Sequence, residues 1–179
     1  IELGLVGSEM CIRDSDSNNA RDLINRWRLV KKDPDAELSE PEQPLVYWVE
    51  NSTPEEIRPF VVKGIEAWNK AFEKAGFKNA IVAKIQPDDA EWDAGDVRYN
   101  VVRWASTPSP RYSGYGPSVA NPRTGEIIAA DIVQEFNAIK RGYTYRKLWG
   151  YTEENDPLEQ WIVSLTMHEA VSYTHLRAH

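Results

Sequence analysis

His168 and Glu169, near the end of the stretch "LTMHEAVSYTHLRAH", are the pair of side chains in this chain with the most definite chemistry. In a helix, His-Glu-x-x-His places two imidazoles one turn apart on the same face, where both can bind one zinc ion. The glutamate between them then acts as the base that takes a proton from the attacking water. Position 172, where the second histidine would stand, is Ser172. The plain alternative is a buried histidine with a satisfied hydrogen bond and a helix glutamate in solvent. All three histidines (His168, His175 and His179) fall in the last twelve residues, and Cys11 is the only cysteine. No Ser-His-Asp arrangement or Gly-rich phosphate loop can therefore be assembled, and one cysteine builds no disulfide framework.

The element carrying the pair reads as a helix begun by Asp156-Pro157, with Asp156 as cap and Pro157 in the first turn. Leu158, Trp161, Ile162 and Leu165 form its apolar stripe. His168 lies three residues beyond Leu165, so the spacing predicts that it points toward a sheet. Upstream, "LVYWVE" (45–50) is a short β-rich run, read as a buried strand. Thr53-Pro54-Glu55-Glu56 offers an N-cap, a proline at the first helical position and a glutamate three residues past the cap. Ile57, Phe60, Val61, Ile65, Trp68, Ala71, Phe72 and Ala75 follow at helical spacing, with Gly76 as the stop. That predicts one amphipathic helix of about five to six turns.

"NAIVAKIQ" (79–86) and "VRYNVVRWAS" (97–106) read as second and third strands. A strand, a helix and a strand in about forty residues predict a β-α-β crossover with parallel strands. In "GPSVANPRTGEIIAADIV" a short strand, the turn Asn121–Gly125 and a strand over 126–133 predict a hairpin at a sheet edge. The segment "QEFNAIKRGYTYRKLWGY" fits either helix or loop.

Composition narrows the function. A net charge of −7 argues against nucleic-acid binding, which needs a basic face. No apolar run reaches the length of a membrane span, and no signal peptide is recognisable. Seven Trp and eight Tyr suit a core or a groove wall. Asp88, Asp89, Glu91, Asp93 and Asp96 alternate oxygens as a calcium loop does, without EF-hand spacing, and a solvated loop is the simpler reading. Arg98, Arg103 and Trp104 suggest either a ligand groove or charged side chains reaching off a sheet. Asp131 either faces a cleft or protects a strand edge with its charge.

The two ends, residues 1–15 and 171–179, resemble translated sequencing-adapter peptides, which leaves 16–44 as an N-terminal segment and connection and 45–170 as a partial catalytic domain. Several stretches of the interior, namely "TPEEIRPFVVKGIEAWNKAFEKAGFKNAI", "DVRYNVVRW", "GPSVANPRTGEIIAADIV" and the helix ending "HEA", resemble bacterial zinc-dependent metalloproteases of the metzincin clan with an EcxA-like zinc-binding domain. The resemblance spans about residues 21–170. It implies an α/β (α+β) fold: a metzincin-like N-terminal subdomain whose twisted mixed sheet has a backing helix and an active-site helix, incomplete at the C-terminus. It also implies His168 as first zinc ligand, Glu169 as catalytic base, and peptide-bond hydrolysis by zinc-activated water on a peptide or protein substrate outside the cytoplasm. The family's later ligands stand four and ten residues beyond the first, whereas His175 and His179 stand at seven and eleven and are not taken as ligands. The Zn2+ site is thus incomplete, and the literal chain is expected to be inactive. The competing expectation is a non-catalytic α/β binding or interaction module.

Overall fold

The computed structural model describes residues 23–137, 140, 144, 148–150 and 158–171. It is a mixed α/β arrangement around a five-stranded mixed sheet. The first strand, β1 (Leu45–Val49), alternates buried and half-buried side chains, and Leu45, Tyr47 and Val49 form its core face. Apolar alternation bounded by polar turns produces such a strand, because one pleat face is withdrawn from water. β2 (Ile81–Ile85) and β3 (Asn100–Ala105) flank β1, and both run parallel to it. The crossover prediction holds, with Tyr47 aligned to Ala83 on one side and to Asn100 on the other.

The backing helix departs from the predicted single rod. It is α1 (Arg58–Glu66) followed by α2 (Asn69–Lys74), with a turn at Ala67 and Trp68. α1 begins four residues later than Pro54. Its N-cap is Ile57, which makes no side-chain cap bond, and Thr53 Oγ1 is buried without a hydrogen-bond partner among the described residues. The reason is Pro59, which sits in the first turn of α1: proline has no N–H to donate back to Glu55 and is tolerated only at a helix start. Arg58 secures the entry by donating to the carbonyls of Asn51 and Thr53. Val61 and Ile65 of α1 are fully buried against the sheet core. At the far end Gly76 adopts φ +88° and stops the helix, as its spacing predicts.

α2 has a second role at the sheet margin. Asn69 Nδ2 donates to the Ile81 carbonyl at 2.9 Å, and Asn69 Oδ1 accepts the Ile81 N–H at 3.1 Å. Both backbone groups face away from β1, so the side-chain amide of Asn69 takes the place of a neighbouring strand.

The predicted strand over 126–133 is two strands. β5 (Ser118–Ala120) and β6 (Ile127–Ala130) form a small antiparallel sheet of their own, with a bulge between Val119 and Ala120. After Asp131 the chain enters β7 (Ile132–Glu135), which pairs parallel with β3. The edge of the main sheet is therefore β4 (Gly114–Tyr115), antiparallel to β7, and not the hairpin. Asp131 explains the break. It is half-buried, and its carboxylate accepts the Val101 N–H at 3.0 Å, turning the chain from one sheet into the other. The order across the sheet is β2-β1-β3-β7-β4.

The acidic loop 87–99 is pinned by aromatic packing. Trp92 stacks on Tyr99 with ring centroids 4.1 Å apart, and Trp48 meets both rings edge-on. Its acids serve turns: Asp93 accepts the Gly95 N–H, and Asp96 pairs with Arg98, which holds the Asp96 carboxyl down at about 2. Arg98 is thus spent on a local ion pair, while Trp104 packs toward the core against Phe136. No described helix is long and apolar enough to cross a membrane.

Candidate functional site

The last helix, α3 (Leu158–Val171), carries the imidazole–carboxylate pair, while its expected start at Asp156-Pro157 lies outside the described residues. Its buried line is Leu158, Ile162, Thr166 and Ala170, joined by Glu169. Trp161 and Leu165 are only half-buried, and His168 on the same flank is exposed. The expectation that His168 points into the sheet is corrected, and Glu169 makes that contact instead.

Polar chemistry decides this rotation. Gln134 and Thr166 are both fully buried, and Gln134 Nε2 donates to Thr166 Oγ1 at 2.6 Å. Thr166 in turn donates to the Ile162 carbonyl at 2.8 Å, so its hydroxyl is satisfied in the interior. Against the same residue, Gly64 of α1 admits a very close approach. A Cβ added there would lie 2.6 Å from Thr166 Cβ and 2.9 Å from the Val163 carbonyl oxygen. Trp68 Nε1 also donates to the Met167 carbonyl at 2.8 Å. A glycine notch, a buried Gln–Thr bond and an indole donor together set the turn of α3 that ends in His168-Glu169.

Glu169 is 8% exposed and lies beneath the edge strand. A Cβ placed on Gly114 of β4 would be 3.2 Å from Glu169 Cγ and 3.3 Å from its Oε1. Burial pushes the Glu169 carboxyl above its ordinary range, and the neighbouring His168 opposes that shift. A carboxyl shifted upward by burial beside a sheet edge is suited to carry a proton. Gly114 sits opposite Gln134 in the β4–β7 pair, so the edge strand, the Gln–Thr bond and the carboxyl form one local cluster. Its polar members are invisible to a reading that sorts residues by hydropathy.

Among the described residues no group of three or more His, Cys, Asp or Glu side chains gathers as a metal cage. His168 alone supplies an accessible imidazole nitrogen, and Glu169 is the acid beside it; His175 and His179 lie outside the described residues. The described residues thus bring together one exposed imidazole and one adjacent buried carboxyl, with no further metal-ligating side chain gathered beside them.

Asp131, the other shifted carboxyl near the sheet, is a structural acid. Burial holds it above its ordinary value of 3.8, against the opposing effects of the Val101 N–H and Arg103. The folded protein therefore binds that proton more readily than the unfolded chain does, and stability from this group falls as pH rises from about the ordinary carboxylate range upward. Asp131→Asn keeps an acceptor for the Val101 N–H and removes the titration. Its urea midpoint, compared with that of the parent chain, should improve as pH is raised from acid toward neutral; a constant difference would contradict the assignment.

Comparison with known proteins finds no matching family model, no matching curated protein and no matching solved structure.

Proposed function

We propose that this chain carries part of the catalytic domain of a metzincin-like zinc-dependent metalloendopeptidase, with Glu169 as proton carrier and His168 as one metal ligand. The observation that supports it most is the burial of Glu169 under Gly114, at the antiparallel margin of a mixed sheet, with an exposed histidine beside it. In this reading an extended peptide adds to the outer edge of β4, which pairs with no other described strand and whose backbone supplies the hydrogen bonds. The 118–133 hairpin does not offer this edge, because β5 and β6 form a separate sheet. Zinc, when bound, would supply Lewis acidity toward water and the scissile carbonyl. Glu169 takes the proton released at attack and returns it to the departing amine. A location outside the cytoplasm belongs to this reading through the resemblance alone.

The second reading, a non-catalytic α/β binding module, draws on Ser172 and on the outward setting of His168. Reading the source DNA past codon 170 separates them. A Gly-His pair followed six residues later by a further histidine supports the peptidase, and Val-Ser-Tyr-Thr in the native gene defeats it.

A physical counterpart uses the chain itself. Ser172→His supplies an imidazole four residues beyond His168, and the variant should bind Zn2+ roughly tenfold more tightly than the parent. Competition with a chromophoric chelator measures the gain, and Co2+ absorption reports the ligand type. No gain in a variant with unchanged circular dichroism would mean that α3 does not present His168 to a partner one turn on.

A further inference from the structure

We propose that Gly114 is a positioning residue for Glu169: the absence of a side chain at this edge position lets the carboxyl lie beneath β4. The inference draws its catalytic meaning from the reading of Glu169 as proton carrier, but its physical content is independent of zinc. β4 is two residues long, and Gly114 faces Gln134 across the antiparallel pair. Gln134 holds Thr166 from below, and Thr166 is three residues, about one helical turn, before Glu169. The carboxyl is thus approached from two directions, by a fixed helix turn and by bare strand backbone.

The clearance is specific. A Cβ at position 114 meets the Val133 carbonyl oxygen at 3.0 Å, then Glu169 Cγ at 3.2 Å and Glu169 Oε1 at 3.3 Å. The first neighbour is backbone of the sheet and cannot yield. The second and third are side-chain atoms that rotation about χ angles can move, so Glu169 is the group that gives way. A methyl group at 114 is expected to push the carboxyl aside by a few tenths of an ångström and open it toward water. φ at Gly114 does not require glycine, since only Gly76, Gly125 and Gly150 have positive values. The requirement at 114 is one of space.

Carboxyl labelling with a water-soluble carbodiimide and an amine, read by peptide mass, tests this on the chain as it stands. In Gly114→Ala the labelling of Glu169 should rise severalfold relative to exposed Glu55, while buried Glu135, held by Thr107, stays protected. Unchanged labelling of Glu169 overturns the proposal. A parallel rise at Glu135 also overturns it, because the strand as a whole would then have loosened. A double-mutant cycle gives the second measurement. The destabilisation caused by Gly114→Ala should shrink in a Glu169→Ala background, and a penalty of full size there would place the clash elsewhere. Neither readout needs metal or turnover, so a failure here is distinct from a failure of the peptidase reading.

Discussion

Glu169→Ala is expected to abolish nearly all peptide hydrolysis in a form of the protein whose zinc ligands are complete, while the metal stays bound. A positioned general base contributes about 10²–10⁴ in rate, so the loss should amount to about 3–5 kcal/mol of barrier. The structural basis is that the carboxyl is held beneath an edge strand and is not a free surface acid. Zinc content measured beside the turnover number separates loss of base from loss of metal. Equal turnover in parent and variant would remove Glu169 from the chemistry. Loss of zinc with loss of rate would make Glu169 a support of the metal cage instead.

Gly64→Ala should destabilise the fold, against the trend for helices. Replacing glycine by alanine inside an exposed helix usually gains about 0.5–1 kcal/mol. At this position the new methyl would stand 2.6 Å from Thr166 Cβ, closer than real contacts allow, with the Val163 carbonyl oxygen at 2.9 Å. α1 and α3 must separate, and the separation strains the bond between Thr166 and Gln134, both of which are fully buried. Overpacking of this kind costs about 1–3 kcal/mol, with a further penalty of about 1–3 kcal/mol if the Gln134 amide loses its partner. Urea unfolding of the two proteins measures the difference. A more stable Gly64→Ala would show that the helices are not in this contact.

The comparison of sequence with structure divides along physical lines. β1, β2 and β3 were legible because each is an apolar run between polar turns, and the intervening amphipathic helix made parallel pairing the economical connection. The helix was correctly placed at its C-terminal end, where Gly76 gives an unambiguous stop, and misplaced at its start. Two prolines compete there, and the later one, Pro59, prevails because a helix cannot carry it beyond the first turn. The run 126–133 looked continuous because Asp131 is a single polar residue in an apolar stretch. Only tertiary structure gives that residue a backbone donor from β3 and so a reason to end one strand and begin another. β4 has two residues and no periodicity to detect.

The candidate site was half legible for the same reason. His168 and Glu169 are legible from residue type, but the expected inward direction of His168 is the reverse of the one observed. Apolar spacing puts Leu165 and His168 on the inner face of α3, whereas Thr166 and Glu169 occupy it, Thr166 meeting Gln134 of β7. A buried hydroxyl that donates to its own helix and accepts from a neighbouring strand behaves as a core residue, and hydropathy assigns it to the surface.

The amide of Asn69, clasped to both backbone groups of Ile81, makes the two margins of the sheet unequal. At Ile81 the outer border is capped by the protein's own side chain, which takes up the backbone donor and acceptor that a further strand would need there. A second molecule's strand docking along β2 would have to break that pair, which disfavours open head-to-tail stacking through this border. A single asparagine thereby works against fibre growth through the β2 flank.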